Sequence, residues 1–203
     1  MIEDTNGIVP IQHAPERLDK AGIPLRFRDR TFKKFKVTDE NTDAFLWANK
    51  FAELYTLEAA SALLVGKPGT GKTHLAVAIC LDALLTEFVE QVLYTTVDKA
   101  VRRVKASFSK TTDDTEEKAR QSLTSPRLLV LDEVGVQFGT DFETNLFFGV
   151  LNQRYEDMKP TILISNLPTG ECATFLGDRV FDRFREDNSK IVEFDWDSHR
   201  GKE

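Results

Sequence analysis

Residues 66–73 read G-K-P-G-T-G-K-T, directly after the apolar run Ala62-Leu63-Leu64-Val65 and shortly before Leu75-Ala76-Val77-Ala78-Ile79. Three glycines in eight positions let the backbone take conformations that other residues avoid, and such a loop presents successive N–H groups to one point. The preceding run has the length of a buried strand, and the following one opens a helix. A strand, a glycine loop and a helix in that order begin an α/β fold. The pattern G-x-x-x-x-G-K-[ST] is that of a phosphate-binding loop. Gly66, Lys67, Pro68, Gly69, Thr70 and Gly71 then form the cradle, with His74 just beyond it. Lys72 reaches the β- and γ-phosphates, and Thr73 offers its hydroxyl to Mg²⁺. The helix N-terminus adds partial positive charge. The chain is therefore expected to bind a nucleoside triphosphate together with Mg²⁺.

Four further apolar runs, 91–96, 127–132, 161–165 and 190–194, join the one at 61–65, with helical or loop stretches between them. Such alternation implies a parallel sheet covered on both faces, with ligands at the carboxyl ends of its strands. Phe45, Leu46, Phe51, Ala52, Leu54 and Tyr55 recur at helical spacing within 39–60. Residues 1–38 carry Pro10, Pro15, Gly22 and Pro24 without clear periodicity, and read as a mostly irregular lead-in. At 203 residues the chain is expected to form one domain. No apolar run approaches the ~18 residues of a membrane span, so no membrane partner is expected. Met1-Ile2-Glu3-Asp4 lacks the basic and apolar regions of a signal peptide. Cys80 and Cys172 are far apart and outside any C-x-x-C, so they read as buried small hydrophobes in a reducing, cytoplasmic setting. A net charge of -6 opposes steering of the whole molecule onto DNA, and any nucleic-acid contact needs a local basic surface.

Arg127-Leu128-Leu129-Val130-Leu131-Asp132-Glu133 is an apolar strand that ends in two carboxylates. Asp132 is placed to hold Mg²⁺, partly through water, and Glu133 to orient or deprotonate the water that attacks the γ-phosphate. Thr161-Ile162-Leu163-Ile164-Ser165-Asn166 ends at the same sheet edge. Either the Asn166 amide contacts the γ-phosphate and attacking water, or it is an ordinary turn residue. In D-R-V-F-D-R-F-R (178–185) the arginines alternate with apolar residues. They form a solvated basic helix face, or one of them projects into a neighbouring subunit's nucleotide.

The order of glycine loop, L-L-V-L-D-E-V-G-V-Q, I-S-N, L-G-D-R-V-F-D-R-F-R and F-D-W-D-S-H-R resembles the AAA+ ATPase domain of bacterial DnaC-type replicative helicase loaders. Transposition helper ATPases of the IstB kind share much of it. The resemblance runs from about Gly22 to Arg200. It implies a P-loop NTPase fold with a five-stranded parallel sheet, order 5-1-4-3-2, flanked by helices. Lys72, Thr73, Asp132 and Glu133 become the Walker residues, and Asn166 the first sensor. Arg183 becomes the finger acting in trans, with Arg179 as runner-up, and Arg200 the second sensor that touches the nucleotide in cis. Residues 1–38 become a linker whose part from Gly22 to Phe35 covers the adenine, and 39–203 the ATPase domain. A helical insertion falls near 97–123, in which Lys105 and Phe108 line a path for single-stranded DNA, with Arg102 and Arg103 beside them. Charge neutralisation plus base stacking suits binding without sequence preference.

Loaders of this kind usually carry an N-terminal domain of some tens of residues that grips the helicase. Here only a short lead-in precedes the ATPase domain, so either the chain is part of a longer one or it reaches the helicase by other surfaces. The resemblance implies a bacterial or phage-encoded ATPase. It would self-associate through a composite ATP site and help load a hexameric replicative helicase onto single-stranded DNA. The alternatives are a transposition helper acting on duplex DNA, and a nucleotide-gated binding module that hardly hydrolyses.

Overall fold

The computed structural model describes residues 15–85, 92–108, 115–135, 140–186 and 188–198. Each of the five apolar runs forms a strand: β1 (Ala62–Gly66), β2 (Val92–Thr96), β3 (Leu128–Val134), β4 (Thr161–Ser165) and β5 (Lys190–Phe194). Every pairing is parallel, and the order β2-β3-β4-β1-β5 is the expected 5-1-4-3-2 seen from the other edge. All carboxyl ends therefore lie along one edge.

The helices are α1 (Pro15–Lys20), α2 (Thr42–Glu58), α3 (Lys72–Ala83), α4 (Val97–Ala106), α5 (Glu116–Thr124), α6 (Asp141–Glu156), α7 (Thr169–Leu176) and α8 (Asp178–Arg183). Side chains alternate across the strands and so divide the core in two. Ala62, Leu64, Leu128, Val130, Ile162 and Ile164 face one layer, which holds α2 and α3 residues such as Phe51, Tyr55, Leu75 and Ile79. Leu63, Val65, Leu129, Leu131 and Leu163 face the other, filled by Val101 and Val104 of α4, Phe147 of α6 and Phe181 of α8. Polar side chains start several helices: Thr96 accepts from Lys99 N, Thr115 from Lys118 N, and Thr140 and Glu143 form a reciprocal capping box. Cys80 and Cys172 are free and buried, and burial raises the Cys80 thiol to about 12.

Within the lead-in, residues 1–14 lie outside the described set. Pro15, a residue suited to a first helical position, opens α1, and short 3₁₀ turns follow at Leu25–Phe27 and Phe32–Lys34. This stretch lies along β2, an edge strand, where Tyr94 N donates to Ala21 O at 2.8 Å. Among the described residues no helix is long and apolar enough to cross a membrane.

Arg154, at the end of α6, is only 1% exposed. Its Nε donates to Thr161 Oγ1 at 2.9 Å, and its terminal nitrogens donate to the carbonyls of Leu123, Thr124, Pro126, Arg127 and Pro160. Burial pulls its pKa down to about 9, so the guanidinium stays charged at neutrality. One side chain thus ties the end of α5 to the starts of β3 and β4. Arg154→Leu strands several buried carbonyls at about 1–3 kcal/mol each, and should lower unfolding free energy by at least ~3 kcal/mol in urea titration. Arg154→Lys should not restore it, because an ammonium lacks the planar fork of donors.

Candidate functional site

The glycine loop joins β1 to α3 at the carboxyl edge of the sheet. Gly66 sits where β5 passes so closely that a Cβ would lie 2.3 Å from Phe194 O, and its φ is 120°. Gly69 and Gly71 have φ of 84° and 105°, the left-handed region where a side chain is strained. Polar bonds hold the loop from outside. Gly66 N donates to Leu167 O and Lys67 N to Phe194 O, both at 3.2 Å, while Lys67 Nζ donates to Asp195 O and Trp196 Nε1 to Thr70 O, both at 3.0 Å. Within the loop, Thr70 Oγ1 donates to Lys67 O at 2.8 Å. Pro68 is exposed. The Lys72 ammonium, on a residue 4% exposed, donates to the carbonyls of Gly66 and Lys67 at 2.6 Å each.

Next to the loop, Thr73 Oγ1 donates to Asp132 Oδ2 at 3.0 Å. The β3–β4 register explains how Asp132 arrives there. Leu131 pairs with Leu163 but Val134 with Ser165, so three steps on β3 match two on β4. This bulge twists the strand and puts Glu133 at φ 63°, a conformation costly for a non-glycine residue. Asp132 turns inward, 8% exposed, and Glu133 outward. A hydroxyl and a carboxylate oxygen side by side suit a hard cation such as Mg²⁺, which keeps waters and phosphate oxygens as its other ligands. Among the described residues no group of three or more His, Cys, Asp or Glu could hold a metal ion. The residues present fit a Mg²⁺–nucleotide whose cation is shared between protein and phosphate.

Two further side chains at the site, Tyr94 and Trp196, have no motif role that marks them in the sequence. Tyr94 OH donates to Asp132 Oδ2 at 2.7 Å. Burial and the neighbouring Asp132 carboxylate both push the phenol up, so it remains a donor. A tyrosine in an apolar strand beside the acidic strand is the available signal, because a buried phenol needs a partner.

Asn166 is exposed at the end of β4. Ser165 shapes that turn, with Oγ donating to Val134 O at 2.7 Å and accepting from Leu167 N at 3.1 Å. Arg183 lies elsewhere. Its Nη1 donates to Asn152 Oδ1 at 2.6 Å, and its guanidinium sits 4.1 Å from the Tyr155 ring centroid. It lines a cavity of about 330 Å³ with Ser61, Thr161 and Ser189, at the amino ends of β1, β4 and β5. The length of a five-residue strand, about 16 Å, separates that end from the glycine loop. Arg183 is thus not gathered with Lys72, Thr73 and Asp132. Arg179 is exposed on α8, and Arg200 lies outside the described residues.

The segment expected over the nucleotide meets the loop. The Phe35 ring lies where a Cβ on Gly71 would approach within 2.8 Å, and Phe35 meets the His74 ring edge-on at 5.2 Å. Thr31 O can only accept, so His74 carries its proton on Nε2 and donates at 2.9 Å. The candidate DNA contacts cluster near the start of α6. Lys105 pairs with Glu143 at 2.6 Å, and Phe108, 52% exposed, meets the Phe142 ring at 5.3 Å. Arg102 pairs with Asp98 one turn back, and Arg103 is exposed.

A family model described as "IstB-like ATP binding protein" matches residues 24–203. The replicative helicase loader DnaC of Escherichia coli (strain K12) is 34% identical over 185 residues, covering 91% of this chain and 74% of that protein. A crystal structure of the DnaC helicase loader superposes with TM-score 0.71 over 84% of this chain and 99% of that one, at 23% identity, a likeness of fold. The replication initiator DnaA bound to AMPPCP and single-stranded DNA gives TM-score 0.70 at 25% identity, over 86% of this chain and 51% of that one.

His74 makes this region pH-dependent. Burial lowers its pKa below the ordinary 6.5, and Arg30 adds to that against the pull of Thr31 O and Asp29. A depressed histidine pKa leaves stability intact above 6.5. Stability then falls as pH drops toward the folded value, because only the unfolded chain takes up the proton. In nucleotide-free thermal melts, His74→Gln should flatten the loss of stability below pH 6.5 relative to wild type.

Proposed function

This chain belongs to the family of IstB-like ATP binding proteins, and we propose from that premise that it is an ATPase that helps load a replicative helicase onto single-stranded DNA. The observation that carries the ATPase part is the juxtaposition of buried Lys72 with the Thr73–Asp132 pair on a glycine loop at the sheet's carboxyl edge. A bound Mg²⁺ would supply charge neutralisation to the phosphates. Lys72 adds a positive charge to the same oxygens, and Thr73 and Asp132 hold the cation, Asp132 partly through water. Glu133, turned outward by the bulge, orients and deprotonates the attacking water. Asn166 contacts that water and the γ-phosphate, and Arg200 completes the site in cis.

Arg183 acts on a neighbour's nucleotide. Its place at the opposite end of the sheet supports a role in trans, and such a finger contributes ~10³–10⁵ in rate in other systems. Self-association through this composite site follows. Lys105, Arg102, Arg103 and Phe108 form the single-strand contact, with the Lys105–Glu143 pair opening to meet phosphate. The kinship with DnaC supports the replicative helicase as the partner. The match to the IstB-like family model supports ATP binding equally in a second reading, in which the chain is a related ATPase that acts on duplex DNA with a transposase.

Lys72→Ala should abolish nucleotide binding in a fluorescent-ATP titration. Arg183→Ala should keep that binding but lose turnover by ~10³-fold under assembling conditions; normal turnover excludes the finger role. Mixing the protein with purified replicative helicase, with and without ATP and single-stranded DNA, should give an ATP-dependent complex by size-exclusion chromatography. Filaments on duplex DNA without helicase binding establish the second reading instead.

A further inference from the structure

Asp132 is held from three sides. Its Oδ1 accepts from Glu133 N at 2.7 Å, and its Oδ2 accepts from Thr73 at 3.0 Å and from Tyr94 at 2.7 Å. The Thr73 bond belongs to the cation chemistry already described. The Tyr94 bond does not: it comes from β2, outside the motif residues, and reaches sideways across the register in which Thr96 lies opposite Asp132.

Tyr94 is 3% exposed in the core layer formed with α2 and α3. Phenylalanine would fill that volume without burying a hydroxyl, and a phenol in such a place is costly unless it is hydrogen-bonded. Its partner is the carboxylate that faces Thr73. The bulge at Asp132–Glu133 interrupts the ladder that would otherwise fix this residue, so side-chain donors take over the work of aiming it.

Tyr94 in turn is seated by the N-terminal segment. Its N donates to Ala21 O at 2.8 Å, and Phe27 meets its ring edge-on at 6.2 Å. Gly22 passes so near, at φ 70°, that a Cβ would lie 2.3 Å from Tyr94 O. The same segment braces the glycine loop through Thr31 and Phe35. The Asp132 carboxylate and the loop therefore share one external support.

We propose that Tyr94 is a positioning residue for Asp132, and that docking of Ala21–Phe27 on β2 sets, through Tyr94, the affinity of the site for Mg²⁺. The proposal rests on the reading that Thr73 and Asp132 hold Mg²⁺ with the nucleotide. The phenol keeps Oδ2 beside the Thr73 hydroxyl, so the pair would take a cation without a side-chain search. When the segment lifts from β2, Tyr94 loses its seat and the carboxylate its aim, while the loop's own phosphate donors remain.

The test uses the full chain and a fluorescent, non-hydrolysable ATP analogue, with Kd measured in EDTA and in saturating Mg²⁺. The ratio of the two values reports the cation's contribution. In Tyr94→Phe the EDTA value should stay within about twofold of wild type and the ratio should shrink ~10-fold, the size typical of lost outer-shell partners. A residue that only fills space would move both values together or neither. An unchanged ratio with nucleotide binding intact overturns the role of Tyr94. Undiminished nucleotide binding by Lys72→Ala, or a wild-type protein indifferent to Mg²⁺, overturns the underlying reading instead. Gly22→Ala keeps the tyrosine but pushes the segment off β2, and should shrink the ratio in the same way. The combination with Tyr94→Phe should be less than additive, and full additivity overturns the link to the segment. Thermal melts of each variant show that the fold is retained.

Discussion

The close passage of β5 over Gly66 is the constraint on which the rest of the site depends. With no room for a Cβ beneath Phe194 O, the backbone leaves β1 at a positive φ and the glycine loop begins at once. The residues after that crossing complete the hold, Asp195 O taking the Lys67 ammonium and Trp196 the Thr70 carbonyl. The loop is therefore supported from a strand more than a hundred positions away. That support lets a short, glycine-rich segment keep one shape despite the conformational freedom its glycines would have in the unfolded chain.

A second constraint is the bulge in β3. A regular strand would place Asp132 and Glu133 on opposite faces of the sheet, one in each core layer. The extra step at that point turns Asp132 toward Thr73 and sends Glu133 outward at a strained φ. Strain of this kind is kept only where surrounding structure insists on it, and here the Glu133 N–H bond to Asp132 and the Tyr94 phenol do so. Charge at the proposed cation position is thus arranged by backbone geometry first and side-chain bonds second.

The strands were legible because buried parallel strands are continuous apolar runs, and all five fell where those runs lie. The loop was legible because glycine spacing and the lysine are local. Arg154 was not: in N-Q-R-Y-E it has the look of a solvated helix residue, and its carbonyl partners come from two other stretches of chain, Leu123 to Arg127 and Pro160. Tyr94 offered only a general cue, a phenol in an apolar strand that needs a partner, since nothing local shows that the partner is a neighbouring strand's carboxylate. Between a solvated basic face and a projecting finger, local spacing could not decide for Arg183. The fold put it on Asn152 and Tyr155 at the amino edge, a strand's length from the loop of its own chain.

The amino-acid sequence by itself determined the α/β class, the strands and the identity of the glycine loop, because apolar periodicity and glycine spacing act over a few residues. It also carried the signature of the family to which the chain belongs. Tertiary structure alone decided which side chains meet. Thr73 of α3 finds Asp132 of β3, Tyr94 reaches it from β2, and Trp196 and Phe35 close on the loop from opposite ends of the chain. Those meetings depend on sheet order, on one bulge and on a lead-in that covers an edge strand. None of these is a local property, so each becomes visible only once the whole chain is packed.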